Sequence, residues 1–126
     1  MLLLAVSLAG GLGALARYLV DGAVAERHRG AVPLGTLVVN VVGSFLLGLL
    51  VGWQSGRAVP ADWTIVAGVG FLGGFTTFST ACVEVVWLAR RGRVRTALAL
   101  GVGMLVLALL AAAAGVELGG SSQSRV

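Results

Sequence analysis

The chain has 126 residues, 58% of them hydrophobic and only 11% charged, against about 25% charged in a soluble domain; so little polar surface cannot cover a water-soluble globule, and the chain reads as a membrane protein. Such hydrophobicity excludes intrinsic disorder, and the single cysteine, Cys82, excludes a disulfide scaffold. The net charge of +4 rests on arginines set mostly between apolar runs, with no basic and aromatic module left over, so no nucleic-acid partner is expected.

Four apolar stretches follow in chain order, over residues about 2–20, 34–53, 63–88 and 96–116. Each reaches the roughly 20 residues that a helix needs to cross a 30 Å hydrocarbon layer. They predict an all-α membrane protein, a single four-helix transmembrane domain over residues 1–126. No repeat of 20–50 residues is present, which excludes a solenoid. The first stretch lacks a basic segment ahead of its apolar core and runs past Gly13 to Arg17 without a turn signal, so it reads as a retained span, not a cleaved secretory signal. Pro33 and Pro60 stand just before the second and third stretches, where a helix start tolerates proline. Residues 119–126 are polar and expected to be loose.

The charges gather in the connections: Asp21, Glu26, Arg27, His28 and Arg29, then Arg57 and Asp62, then Arg90, Arg91, Arg93 and Arg95. Arg27, Arg29, Arg90, Arg91, Arg93 and Arg95 fall on one side, with Arg17 close to them, and Arg57 and Arg125 on the other. Cationic loops stay cytoplasmic, so this bias predicts a multi-pass protein of the cell membrane with both termini outside.

Unpaired polar groups are costly in hydrocarbon, so each one inside a stretch needs a partner or a purpose. In the second stretch Thr36, Asn40, Ser44, Gly48 and Gly52 recur every four residues and so share one helical face. For Ser44, Gly48 and Gly52 this reads as a small-residue packing seam. Asn40 leaves two readings open, a hydrogen bond to a neighbouring helix or the lining of a polar path, because a carboxamide carries both donors and an acceptor.

In the third stretch the pair Gly73-Gly74 precedes four hydroxyl residues, Thr76, Thr77, Ser79 and Thr80. Paired glycines and β-branched hydroxyl residues weaken a helix, which predicts a third helix broken mid-membrane. Irregular backbone at that depth survives only when buried in protein or lining an aqueous cavity. Freed carbonyl oxygens hold small cations, whereas hydroxyls and the asparagine amide donate to anions. Phe75 and Phe78 read as helix packing, with a second reading for Phe78 because the electropositive edge of a ring can face a small anion. Glu84, one turn past Thr80, is the only carboxylate well inside a stretch, and is either a vestibule residue or the partner of a snorkelling arginine. Arg17 reads as reaching the interface or a helix end, Cys82 as a small packing residue and His28 as a solvated loop residue.

With those residues in view the sequence resembles the Fluc family of fluoride channels. The matching pieces are Gly-Gly-Leu-Gly-Ala-Leu-Ala-Arg-Tyr (10–18), Gly-Thr-Leu-Val-Val-Asn-Val-Val-Gly-Ser-Phe (35–45) and Gly-Phe-Leu-Gly-Gly-Phe-Thr-Thr-Phe-Ser-Thr (70–80). They stand in the family's order in three of the four stretches, so the resemblance covers nearly the whole chain. It implies an antiparallel dimer of four-helix subunits with two narrow fluoride paths, and a structural Na⁺ at the dimer's centre held by the main-chain carbonyls that match Gly73 and Thr76. Asn40 matches the family's pore asparagine and Phe78 the first of its two pore phenylalanines. Ser79, Thr80 and Glu84 match positions along the polar track. The function implied is passive exit of F⁻ from the cytoplasm; a dry pore must replace the ion's hydration with donors, because desolvating a charge without them is prohibitive.

Three departures from the family's usual pattern matter. Ala81 occupies the place of the family's second phenylalanine. Residues 97–116 contain no Ser, Thr or Tyr, where the family's fourth helix carries hydroxyls. Dual-topology homodimers also show little arginine bias. All three fit a heterodimer with a homologous subunit of opposite orientation, in which this chain is a non-conducting or half-conducting partner. A small proton-coupled multidrug-type exporter is disfavoured because it needs a titratable carboxylate near the midplane, and the first stretch has none. A subunit that only packs against a partner would suit the glycines but not Asn40 and the hydroxyl cluster. One loop histidine and one cysteine build neither a catalytic pair nor a metal site, so an enzyme is not expected.

Overall fold

The computed structural model describes residues 1–28, 30, 32–54 and 60–121. The elements are α1 (Leu2–Arg27), α2 (Leu34–Gln54), α3 (residues 61–75), α4 (Phe78–Arg90) and α5 (Val94–Ser121), with no strand among the described residues. α3 and α4 together make the third crossing, Ala61–Arg90, so four segments are long and apolar enough to span a membrane. The fold is all-α, with its third crossing interrupted.

Two helices run further than the apolar pattern alone marks. α1 continues past Val20 to Arg27, because Ala23, Ala25, Glu26 and Arg27 favour helix although they are not all apolar. Asp21, Glu26 and Arg27 therefore sit on a helix, not in a loop. α5 reaches Ser121, and Gly119 is buried against the Leu49 carbonyl and Trp53 N–H, so this part of the expected loose tail is packed helix. Residues 122–126 lie outside the described set, as do Arg29, Arg57 and Arg125 of the charge pattern.

Close backbone approach organises the bundle. α1 lies along α3, with Gly74 so near the Gly10 carbonyl that a Cβ would overlap it, and α2 lies along α5, with Gly48 against the Ala112 carbonyl and Gly115 against that of Phe45. Glycines let helix backbones meet in this way, and with no water to expel, packing of this kind drives helix association in a bilayer. Gly48 and Gly52 thus form the expected seam, and its facing half, Gly115 and Gly119, repeats their spacing of four, a signal the sequence reading passed over.

α3 packs chiefly on α1, whereas α4 packs on α5. Ala81, Leu88, Ala97, Leu100 and Met104 form the core between α4 and α5. The third crossing therefore changes neighbours midway, and the interruption is where it turns. Within α3, Ile65–Leu72 is π-helical. The Gly73 N–H bonds back to the Gly68 carbonyl, five residues earlier. The interruption lies at Thr76 (φ −79°, ψ 158°) and Thr77 (φ −149°, ψ 121°). Gly73 itself is helical, at φ −63° and ψ −37°. The glycine pair is thus close to the break without being the break, and Gly74 is small because the α1 backbone passes it.

Candidate functional site

Two ends of helix meet at residues 76–77, and the chain must find partners for the backbone groups released there. Thr77 caps α4: its Oγ1 accepts from the Thr80 N–H at 3.3 Å, while its hydroxyl donates to Thr80 Oγ1 at 3.0 Å. Asn40, across on α2, completes the join. Its Nδ2 donates to the Thr77 carbonyl and its Oδ1 accepts from the Thr77 N–H, both at 2.8 Å. A carboxamide has the donor and acceptor of a peptide group, so it stands in for the missing helical turn. The second Nδ2 hydrogen meets the Met104 thioether, at 3.3 Å. Of the two readings open for Asn40, the bond to a neighbouring helix is realised within this chain, and its side chain also lines a cleft.

The same bonds decide which carbonyls at the break lose their donors. A continuous helix would direct the Thr77 N–H to the Gly73 carbonyl and the Thr80 N–H to that of Thr76. Here those hydrogens go to Asn40 Oδ1 and Thr77 Oγ1 instead. Gly73 is exposed on the outer side of the chain. Oxygens of this kind suit a hard cation such as Na⁺.

The hydroxyl cluster divides in two. Thr76 donates its hydroxyl to the Leu72 carbonyl at 2.9 Å, and Thr77 gives its own to Thr80, so neither is a spare donor. Ser79 Oγ lies 3.4 Å from Thr77 Oγ1, a long contact in which either hydroxyl could donate. Ser79 is exposed and Thr80 half-buried at the start of α4. Phe78 is 85% exposed, whereas Phe75 is buried and stacks on Phe71 at 6.2 Å. The two phenylalanines thus differ: Phe75 packs the chain, and Phe78 presents its ring outward.

Glu84 faces α2, where the Thr36 hydroxyl donates to its Oε1 at 2.7 Å and its Oε2 is buried without a partner. Among the described residues no arginine pairs with it. Thr36, only 2% exposed, ties α2 to α4 one turn from the Asn40 join.

Two clefts gather these residues. The larger, of about 460 Å³, is lined by Asn40 and Phe78 together with Ser44, Ala81, Cys82 and Met104. Cys82, expected to pack, is exposed on this cleft. A second, of about 250 Å³, brings Thr80 together with Thr36, Thr77, Arg17, Tyr18 and Asp21. The structure therefore joins Asn40 to Phe78, and Thr80 to Thr36, with Thr77 between the two clefts and Glu84 bonded behind Thr36. Asp21, assigned to a loop by the charge pattern, was missed as a site residue. Its spacing of four from Arg17 places both on one helical face and was the signal available. A Cβ at Gly35 would overlap the Asp21 carboxylate, which thereby sits at the positive N-terminal end of α2.

Comparison with known proteins gives one consistent result. Residues 4–116 match the model of the CrcB-like protein, Camphor Resistance (CrcB) family. The chain is 50% identical over 120 residues to the fluoride-specific ion channel FluC 1 of Leifsonia xyli subsp. xyli, covering 95% of this chain and 88% of that one. It is 44% identical over 126 residues to the fluoride-specific ion channel FluC 2 of Cutibacterium acnes, covering 94% and 98%. With FluC 2 of Moorella thermoacetica it shares 46% identity over 100 residues, 79% of this chain and 81% of the relative.

Proposed function

The chain belongs to the CrcB-like family of fluoride channels, and from that premise we propose that it is a subunit of a fluoride-selective channel through which F⁻ leaves the cytoplasm passively. It is no enzyme. The observation that carries this reading is the Asn40–Thr77 join: an interruption at mid-crossing, held by a carboxamide, with the exposed Phe78 ring and the Ser79 and Thr80 hydroxyls at the same level. Fluoride holds its hydration tightly, so a narrow path must offer N–H, O–H and ring-edge hydrogens in its place. Asn40, Phe78, Ser79 and Thr80 are those groups. Glu84 fixes Thr36, which lines the polar cleft shared with Thr80.

The Na⁺ of this reading is structural and is not transported. The carbonyls of Gly73 and Thr76 would hold it, since the bonds of Asn40 and Thr77 take the donors that a helix would give them. When bound, the ion supplies positive charge to oxygens that lipid cannot satisfy. Gly73 faces away from the rest of its own chain, which supports an antiparallel dimer whose partner covers it. The described arginines at one end of the bundle, Arg27, Arg90, Arg91, Arg93 and Arg95, support termini outside and that end in the cytoplasm.

A heterodimer with a homologous subunit is the second reading, and one observation favours it. The α5 wall of the cleft opposite Asn40 and Phe78 consists of Gly101, Met104, Leu105 and Ala108, and Ala81 stands beside them. None of these offers a hydroxyl or a ring. One conducting path would then use Phe78 with an aromatic residue of the partner, and the path that relies on Ala81 would be impaired. Fluoride efflux from liposomes tests both readings: the purified chain alone, then with a homologous partner. Full efflux from the chain alone sinks the heterodimer; no fluoride-selective efflux in either case sinks the channel.

A further inference from the structure

Asn40 is committed on three sides. Oδ1 and one Nδ2 hydrogen are bound to the backbone of Thr77 at 2.8 Å each, and releasing them would reopen the break. Only the second Nδ2 hydrogen can be given to an anion, and that hydrogen points at the Met104 thioether, 3.3 Å away. Met104 is 6% exposed, yet it lines the cleft that holds Asn40 and Phe78. A thioether is a weak acceptor on a flexible, unbranched stem. A buried donor with no acceptor at all is costly.

Resting on the channel reading above, we propose that Met104 is a placeholder for the anion. Its Sδ occupies the one spare donor of Asn40 when the path is empty and is displaced when F⁻ arrives. A carbonyl or hydroxyl in its place would compete strongly with the ion. A plain hydrocarbon would leave the donor bare and make the ion bind too well to leave, against the need of a conducting site to release what it binds. The sulfur therefore sets how tightly this step holds fluoride, without itself contacting the ion.

The chain's two methionines, Met1 and Met104, make the test clean. Replacing methionine by norleucine throughout exchanges Sδ for a methylene at Met104 with shape retained, and otherwise alters only the exposed Met1. Met104→Leu is the encoded counterpart. In the assembled channel in liposomes, both are expected to lower the fluoride concentration for half-maximal flux about fivefold, the effect of one unsatisfied donor. In the wild type, added fluoride should shift the NMR signal of the Asn40 amide hydrogen that faces Met104 and leave the one bonded to Thr77 in place. An unchanged half-saturation in sulfur-free channels that still conduct overturns the placeholder role while leaving the channel intact. Failure of both sulfur-free proteins to assemble makes Met104 a packing residue and overturns it equally. A wild-type assembly that carries no fluoride removes the channel reading, and the placeholder with it.

Discussion

Replacing Asn40 by alanine removes the side chain that holds both backbone groups of Thr77 at the break. Two bonds of 2.8 Å are lost at once, leaving the N–H of Thr77, a residue 8% exposed, without a partner, while its carbonyl keeps the first intrahelical bond of α4. A buried donor so abandoned costs about 1–3 kcal/mol. The lost bond to the carbonyl adds little beyond that, because this oxygen stays partnered. Interhelical hydrogen bonds in membrane proteins average about 0.6 kcal/mol, because the freed groups usually find new partners. The Thr77 N–H has none within its own helix, since it lies at an extended residue preceding α4. Unfolding of Asn40→Ala in mixed detergent micelles, titrated with a denaturing surfactant, should show a loss of about 1–3 kcal/mol. Hydrogen exchange at the Thr77 amide should rise in parallel. A loss below about 0.5 kcal/mol with unchanged protection of Thr77 would refute the bridge, since it would mean that the break holds itself. Fluoride flux should fall as well, so Asn40→Ala by itself does not separate a channel from a packing subunit.

Phe78→Ala does separate them: the ring is 85% exposed in the chain, so folding should change by less than about 0.5 kcal/mol while flux drops at least tenfold, and retained flux would remove Phe78 from the path. Gly48→Val places a branched side chain on the Ala112 carbonyl and should destabilise the α2–α5 pair by about 1–3 kcal/mol or more; Gly11→Ala, with open space around it, should be neutral or stabilise by up to about 1 kcal/mol, both read by the same surfactant titration. Thr36→Val leaves Glu84 with no hydrogen-bond partner on either carboxyl oxygen and should cost about 1–3 kcal/mol, a loss that Thr36→Ser should largely restore. Exchanging Na⁺ for a large organic cation should lower the thermal stability of the dimer; an unchanged melting temperature would argue against a cation at Gly73 and Thr76.

Crossing a bilayer is a local requirement, met by a run of apolar residues long enough to span the hydrocarbon, so the number of crossings was legible in the chain without any partner being known. The neighbourhood of the irregularity was legible for a similar reason: glycines and β-branched hydroxyl residues weaken a helix wherever they cluster. The residue at which the helix stops was not. That depends on where released backbone groups find a donor and an acceptor together, and the pair is supplied by Asn40, 37 positions earlier in the chain. Tertiary contact likewise decided that Gly74 serves the approach of α1 rather than the break and that Glu84 turns to Thr36, whereas Thr76 and Thr77 spend their hydroxyls locally, on residues four and three positions away. A hydroxyl or carboxyl in a sequence advertises a capacity to bond; only its surroundings in space determine whether that capacity is already used or left for an ion.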